Sequence, residues 1–455
     1  MPMTRRGFLE RVGAAPAAVL AAPGAVRAFR PAQASAAGPE IDAQRLRRAI
    51  EGLSVFGRPA GGTFADGVSR VAYSDADIAG RQFVMGLMRV AGLAPRIDAA
   101  GSILARRPGS RADPPPILFG SHLDSVPNGG NFDGALGSLA ALEVAQTLGE
   151  HGVTTAHPLE VVVWANEEGV AYGHGLCGSR AAVGELSGGE MDAVWNGVKM
   201  ADAVRRVGGD PSRLAEARRA RGSIHAYLEL HIEQGGTLDL AGVPIGIVEG
   251  IVAIDRYEAV IRGVANHAGT TPMPDRRDAL VAASQLVLAV REIVTREPGR
   301  QVGTVGQLAV SPNAPNVVPA LVRHTIELRD LSQPRIARLA EDIRGRAREI
   351  AALTRTDIEI TLTSRHEAAL AAPEILAAIE ASARDCGLAS LRLPSGAGHD
   401  AQMMARIGPM GMIFVPSVGG VSHSPRESTT WADCARGANV LLRTVLAMDR
   451  ISVRS

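Results

Sequence analysis

The sequence predicts an α/β fold with a smaller α+β domain inserted into it, on three observations. Residues 117–119 and Leu159–Trp164 read as short buried strands, the second of the kind covered on both faces of a parallel sheet. Between them Leu136, Leu139, Leu142, Val144 and Leu148 recur at helical spacing, so strand, helix and strand follow in the order of an α/β unit. From about Asp255 to Thr363 the texture changes to strand, helix (278–295), two strands, helix (333–353) and strand, which is a ferredoxin-like order.

The other elements follow along the chain. Ala43–Leu53 and 75–91 carry apolar residues at helical spacing, and Pro114-Pro115-Pro116 punctuates before the first buried strand. Residues 134–148 form the crossover helix, and Ala226–Ile232 and 245–248 are further strands. After the inserted block come a helix over 374–386, a buried strand over 411–415 and a last helix over Trp431–Met448. The predicted division is a leader over 1–36, a main domain built from 41–254 and 366–455, and an inserted domain over 255–365.

Composition narrows the chemistry. The 455 residues suffice for about two to three domains with a sizeable core. With 48 Lys+Arg against 47 Asp+Glu and 3% aromatics, there is neither the charge nor the stacking surface of a nucleic-acid binder. Lys199 is the single lysine and lies in no glycine-rich loop, which argues against P-loop and Schiff-base chemistry. Cys177, Cys386 and Cys434 are too few and scattered for a disulfide framework or a structural zinc site.

The charge is unevenly spread. Residues 1–36 hold five arginines and one glutamate, net +4, leaving −3 for the rest of the chain. Arg5-Arg6 precedes Phe8-Leu9 and an alanine-rich run, and Ala32-Gln33-Ala34 and Ala34-Ser35-Ala36 offer small-x-small cleavage sites. This is the layout of a twin-arginine (Tat-type) export signal, and it predicts a periplasmic location; a leader left unused would leave the protein cytoplasmic. No later stretch reaches the roughly 18 apolar residues of a membrane span.

His122-Leu123-Asp124 follows the 117–119 strand, Asp133 opens the next helix, and Glu167-Glu168 follows Leu159–Trp164. Sites in α/β sheets form at the carboxyl ends of strands, so these segments face one crevice, with nitrogen and oxygen donors suited to Zn²⁺ or Mn²⁺. Each piece alone has a plainer reading. His122 and Asp124 can pair in a turn, Glu167-Glu168 can be a solvated corner, and His231 and His423 are individually ordinary.

Together the segments resemble the M20 metallohydrolase superfamily. The resemblance is to its amidase, hydantoinase and carbamoylase branch, which includes N-carbamoyl-L-amino acid hydrolases, β-ureidopropionases and allantoate amidohydrolases. It rests on eight linked motifs: Gly120–Pro127 with Gly130–Gly134, Asn166–Gly169, Glu229–Gly235, Asn266–Met273, Pro315–Pro319, Leu328–Asp330, Ser395–Ala401 and Ser422–Glu427. The implied fold is a mixed-sheet zinc-hydrolase domain with a ferredoxin-like dimerisation or lid domain, working as a homodimer.

The resemblance implies two divalent ions bridged by Asp133, with His122 and His231 completing one site and Glu168 and His423 the other. Zn²⁺ is the first expectation, with Mn²⁺, Co²⁺ or Ni²⁺ as alternatives. Asp124 would orient the His122 ring, Glu167 would act as general base, and His267 and His399 would donate to the developing oxyanion. Gln234, Asn316 and Arg329 would hold a ureido or carbamoyl substrate, Arg329 gripping its carboxylate. A strand-end ion pair is the plainer reading of Arg329. His267 lies in the inserted domain, so it reaches the metals by domain closure or from a second subunit. Two departures stand out: Val170-Ala171-Tyr172 occupies the place of the family's Ser-Arg-Phe, and Gly236 that of a proline. An M20 peptidase or aminoacylase is the enzymatic alternative, and a non-catalytic solute-binding protein is suggested by the leader alone.

Overall fold

The computed structural model describes residues 38–112 and 114–451; the predicted leader lies outside the described residues. In chain order the strands are β1 (Pro95–Ile97), β2 (Ile103–Arg107), β3 (Ile117–His122), β4 (Leu159–Trp164), a small ribbon of β5 (Val194–Trp195) and β6 (Val198–Lys199), β7 (Ala226–Ile232) and β8 (Ile245–Ile251). They continue with β9 (Ala253–Arg262), β10 (Val302–Thr304), β11 (Leu308–Ser311), β12 (Leu321–Asp330), β13 (Asp357–His366), β14 (Ala369–Leu370), β15 (Ser390–Ser395) and β16 (Met410–Val415).

The architecture is mixed α/β. Nine strands form one sheet in the order β1-β2-β4-β3-β7-β16-β8-β14, with β15 parallel to β8. At its centre β4, β3, β7 and β16 run parallel. Every residue of β3, β4, β7 and β16 is buried, as expected for strands covered on both faces. The helices Ala43–Leu53, Ala135–Glu150, Pro373–Asp385 and Trp431–Met448 pack into one apolar core with this sheet. The Ala135–Glu150 helix is apolar almost all round, so it lies buried as the crossover between β3 and β4.

A second sheet, in the order β10-β12-β9-β13 with β11 also on β12, has the helices Ala279–Thr295 and Gln333–Thr354 on one face. Its alternating burial is that of a sheet with one covered side: Val322, Ile326 and Leu328 point into its apolar core, while Arg323 is exposed. No helix among the described residues is long and apolar enough to cross a membrane.

Candidate metal centre

β3 lies between β4 and β7, so the chain leaves β3 to one side and later returns on the other. That reversal opens a crevice at the carboxyl ends of the parallel strands. His122 is the last residue of β3 and His231 the penultimate residue of β7. Glu167 and Glu168 follow β4 after a turn through Asn166, whose φ is +50°.

Asp133 sits among them. Its Oδ1 lies 3.5 Å from His122 Nε2 and 3.2 Å from His231 Nε2; its Oδ2 lies 3.3 Å from His423 Nε2. His423 Nε2 is in turn 3.5 Å from Glu168 Oε2, and His122 Nε2 is 3.6 Å from Glu167 Oε2. The donor atoms of His122, Asp133 and His231, and those of Asp133, Glu168 and His423, each fall within 4.8 Å of one another. Asp133 thus belongs to both groups and turns one oxygen to each. Gly134 makes this possible: its φ is +62°, and a Cβ there would stand 2.3 Å from the His122 ring.

Both buried imidazoles are oriented through their other nitrogen. His122 Nδ1 lies 3.0 Å from the Asp124 carbonyl and His231 Nδ1 lies 2.9 Å from the Ile232 carbonyl, so each ring donates there and aims Nε2 at the acids. The Asp124 carboxylate was expected to hold the His122 ring. It is 3.8 Å away and instead accepts the Glu167 and Glu168 N–H groups at 3.2 and 3.1 Å, fixing the turn that carries those two acids.

Glu427 and Ser422 are functional neighbours to which the sequence reading gave no role, although their motif contains His423. Glu427 Oε1 accepts the Phe132 and Asp133 N–H groups, and its Oε2 lies 2.9 Å from Ser422 Oγ. Ser422 Oγ in turn donates to Asp133 Oδ2 at 3.0 Å. Gly130 must be glycine beside this brace, because a Cβ would fall 2.1 Å from Glu427 Oε1. Gln234, expected on the substrate, donates from Nε2 to Asp133 Oδ2 at 2.7 Å while its buried Oε1 has no partner.

The remaining expected residues divide. His399 joins the cluster: its ring packs edge-on against His231 at 4.5 Å, and Ser395 Oγ lies 2.9 Å from its Nε2. Arg329 reaches the same loop, donating to the Gly396 carbonyl at 2.5 Å, while Glu327 pairs with it. The plainer reading of Arg329, a strand-end ion pair with Asp330 or another acid, is met by Glu327, while Asp330 pairs with Arg335. His267 and Asn316 lie exposed beside each other, linked by the Ala268 N–H to the Asn316 carbonyl, and no hydrogen bond joins them to the cluster. His267 Nδ1 accepts the Gly269 and Thr270 N–H groups, which leaves Nε2–H as a fixed donor.

These groups perturb one another strongly. Burial pushes the Glu167 carboxyl well above its usual range against the pull of His122, with Asp400 and Glu168 adding to the rise. Burial and the neighbouring Asp133 raise Glu168 to about 7. Burial works to raise Asp133 too, but His231, His122 and His423 overrule it and hold it well below. The hydrogen bond to Asp133 raises His423 to about 9. Glu168 Oε1 is buried without any hydrogen-bond partner. Three imidazoles and two carboxylates converging in this way, one carboxylate oxygen orphaned, fit the binding of divalent cations.

Residues 118–447 match the family described as Peptidase family M20/M25/M40. The chain belongs to the M20 family. Among its M20 relatives is an N-carbamoyl-L-amino acid amidohydrolase of Geobacillus stearothermophilus, 42% identical over 408 residues, covering 89% of this chain and 98% of the relative. Another is a ureidoglycolate hydrolase of Oryza sativa subsp. japonica, 35% identical over 421 residues, covering 91% and 86%. A solved amidase of the hydantoinase/carbamoylase family from Burkholderia multivorans superposes with a TM-score of 0.82 at 34% identity, covering 91% of this chain and 99% of that one. At the 170–172 departure from the M20 pattern, Tyr172 packs against Tyr73 and Trp195, so aromatic contacts anchor the loop there.

Proposed function

We propose that this chain is a binuclear-metal amidohydrolase that cleaves the carbamoyl (ureido) C–N bond of N-carbamoyl-L-amino acids or allantoate-like carboxylates. The observation that carries the reading is Asp133, whose two oxygens face separate donor sets. The relatives named above support the bond class, a C–N bond other than a peptide bond.

His122, His231 and Asp133 would hold one ion, and Glu168, His423 and Asp133 the other, with Zn²⁺ the best match to this donor set and Mn²⁺, Co²⁺ or Ni²⁺ alternatives. When bound, such ions supply Lewis acidity that acidifies water and polarises a carbonyl. Glu167 is the general base. It takes a proton from the attacking water at Oε2, which lies 3.6 Å from His122 Nε2, and returns it to the departing nitrogen. His399 and the fixed Nε2–H of His267 donate to the oxygen that becomes negative. Arg329 takes the substrate carboxylate, and Asn316 and the free Oε1 of Gln234 hydrogen-bond around the ureido group. One water and one carbamoyl group yield ammonia, carbon dioxide and the amino compound.

Ammonia release from N-carbamoyl-L-amino acids and allantoate, and release of free amino acids from dipeptides, each measured before and after chelation and metal reconstitution, test the reading. Turnover of dipeptides alone would replace it with a metallopeptidase or aminoacylase. A homodimer through the inserted domain and export by the twin-arginine leader are parts of the same proposal. The first is supported by the exposure of His267 and Asn316, the second by the order of arginine pair, apolar run and cleavage site.

A further inference from the structure

We infer that Glu327 is a positioning residue that fixes which edge of the Arg329 guanidinium meets the substrate carboxylate. The inference rests on the proposed role of Arg329 and adds a residue to it. Glu327 and Arg329 are two apart on β12 and so share a face, and Arg256 on β9 stands directly across from Glu327 in the register. Glu327 Oε1 accepts Arg329 Nε at 2.7 Å and lies 2.7 Å from Nη2 as an ion pair, while Oε2 accepts Arg256 Nε at 2.6 Å.

The guanidinium has five donors in a rigid fork. Glu327 occupies the edge formed by Nε and Nη2. Nη1 donates to the Gly396 carbonyl, in the loop that ends at His399. What remains uncommitted is one N–H on each of Nη1 and Nη2, on a side chain that is 28% exposed. Two arginines and one glutamate leave a single positive charge, which matches one substrate carboxylate. Without Glu327 the fork would have to be immobilised at the moment of binding, a cost that preorganisation removes.

The test compares two substrates in one enzyme preparation: an N-carbamoyl-L-amino acid, and the alkylurea that carries the same ureido group without the carboxylate. Because the readout is a ratio, it does not depend on how much of a variant is folded. Glu327→Ala is expected to lower kcat/KM for the carbamoyl amino acid about tenfold more than for the alkylurea, mainly through KM. Glu327→Gln should recover part of that ratio, since its amide oxygen still accepts from Arg329. Equal effects on the two substrates, or none, would overturn the inference. Arg329→Ala separates the two levels. If it fails to discriminate between the substrates, the carboxylate role of Arg329 falls; if it discriminates and Glu327→Ala does not, only the role of Glu327 falls.

Discussion

At Asp133 a single side chain is asked to face two donor sets, and the main chain around it is built for that task. The Phe132 and Asp133 N–H groups are taken by Glu427, Oδ2 is steadied by Gln234 and Ser422, and Gly134 leaves room for the His122 ring. Gly134→Ala is therefore expected to cost about 1–3 kcal/mol for the sparsely populated positive-φ backbone alone. It should also displace His122, so metal per chain should fall below that of the unaltered protein by elemental analysis. Glu167 behaves differently, because it touches the cluster at its margin. Glu167→Gln should retain metal while turnover drops about 10²-fold or more, the scale of lost general-base catalysis. Near-normal turnover would remove Glu167 from that role. The residues that form this centre were legible through the linked motifs of the family resemblance, with strand-end position adding support only for His122 and Glu167-Glu168. Their supports were not, because a serine and a glutamate in a loop carry no period. The Asp124 contact was misjudged for a related reason: a sequence cannot say whether a carboxylate or the carbonyl of the same residue will face a ring.

The helix Asp75–Val90 shows how an element can carry a titration of its own. Ser74 caps it by accepting the Asp77 N–H, and Asp77 turns back to accept the Tyr73 N–H at 2.8 Å. Burial pushes the Asp77 carboxyl up to about 6, against the pull of Arg81 and with Asp124 adding to the rise. A carboxyl whose folded pKa lies above its unfolded value of 3.8 contributes stability in full below that value and loses it as pH rises through about 6. The loss is on the order of 3 kcal/mol, at about 1.4 kcal/mol per pH unit. Urea unfolding of the protein and of Asp77→Asn should show the advantage of the native aspartic acid shrinking by that order between pH 4 and pH 7. A difference that stays constant with pH would contradict the assignment. Elements of this length were readable from periodicity, and Leu159–Trp164 from its nearly unbroken apolar run. The 117–119 strand runs on to His122 because Gly120, Ser121 and His122, loop-like in composition, continue the ladder with Val162–Trp164. The five-residue helix Asp400–Met404 is too short for a periodic signal, and Glu229 ties its Ala401 N–H to β7.

Across the whole molecule, the second sheet separates the residues that the proposed reaction needs together. Arg329 pairs in register with Ile254 near the start of β9, and β9 runs on to Arg262, opposite Leu321. His267 follows that far end and Asn316 precedes it, so eight strand steps, about 27 Å at roughly 3.4 Å each, lie between them and Arg329. Arg329 touches the Gly396 loop of its own chain. The exposed His267 and Asn316 at the opposite end would then serve the site of a second subunit. Mixing two inactive variants tests this arrangement. Glu167→Gln spoils its own site but keeps His267 to lend, and His267→Ala keeps Glu167 but lends nothing. In a mixed dimer one of the two sites regains both groups, so random pairing of equal amounts should restore about a quarter of the unaltered activity. If His267 instead works within its own chain, every site in the mixture carries one defect, and the mixture should stay at the average of its two inactive parents.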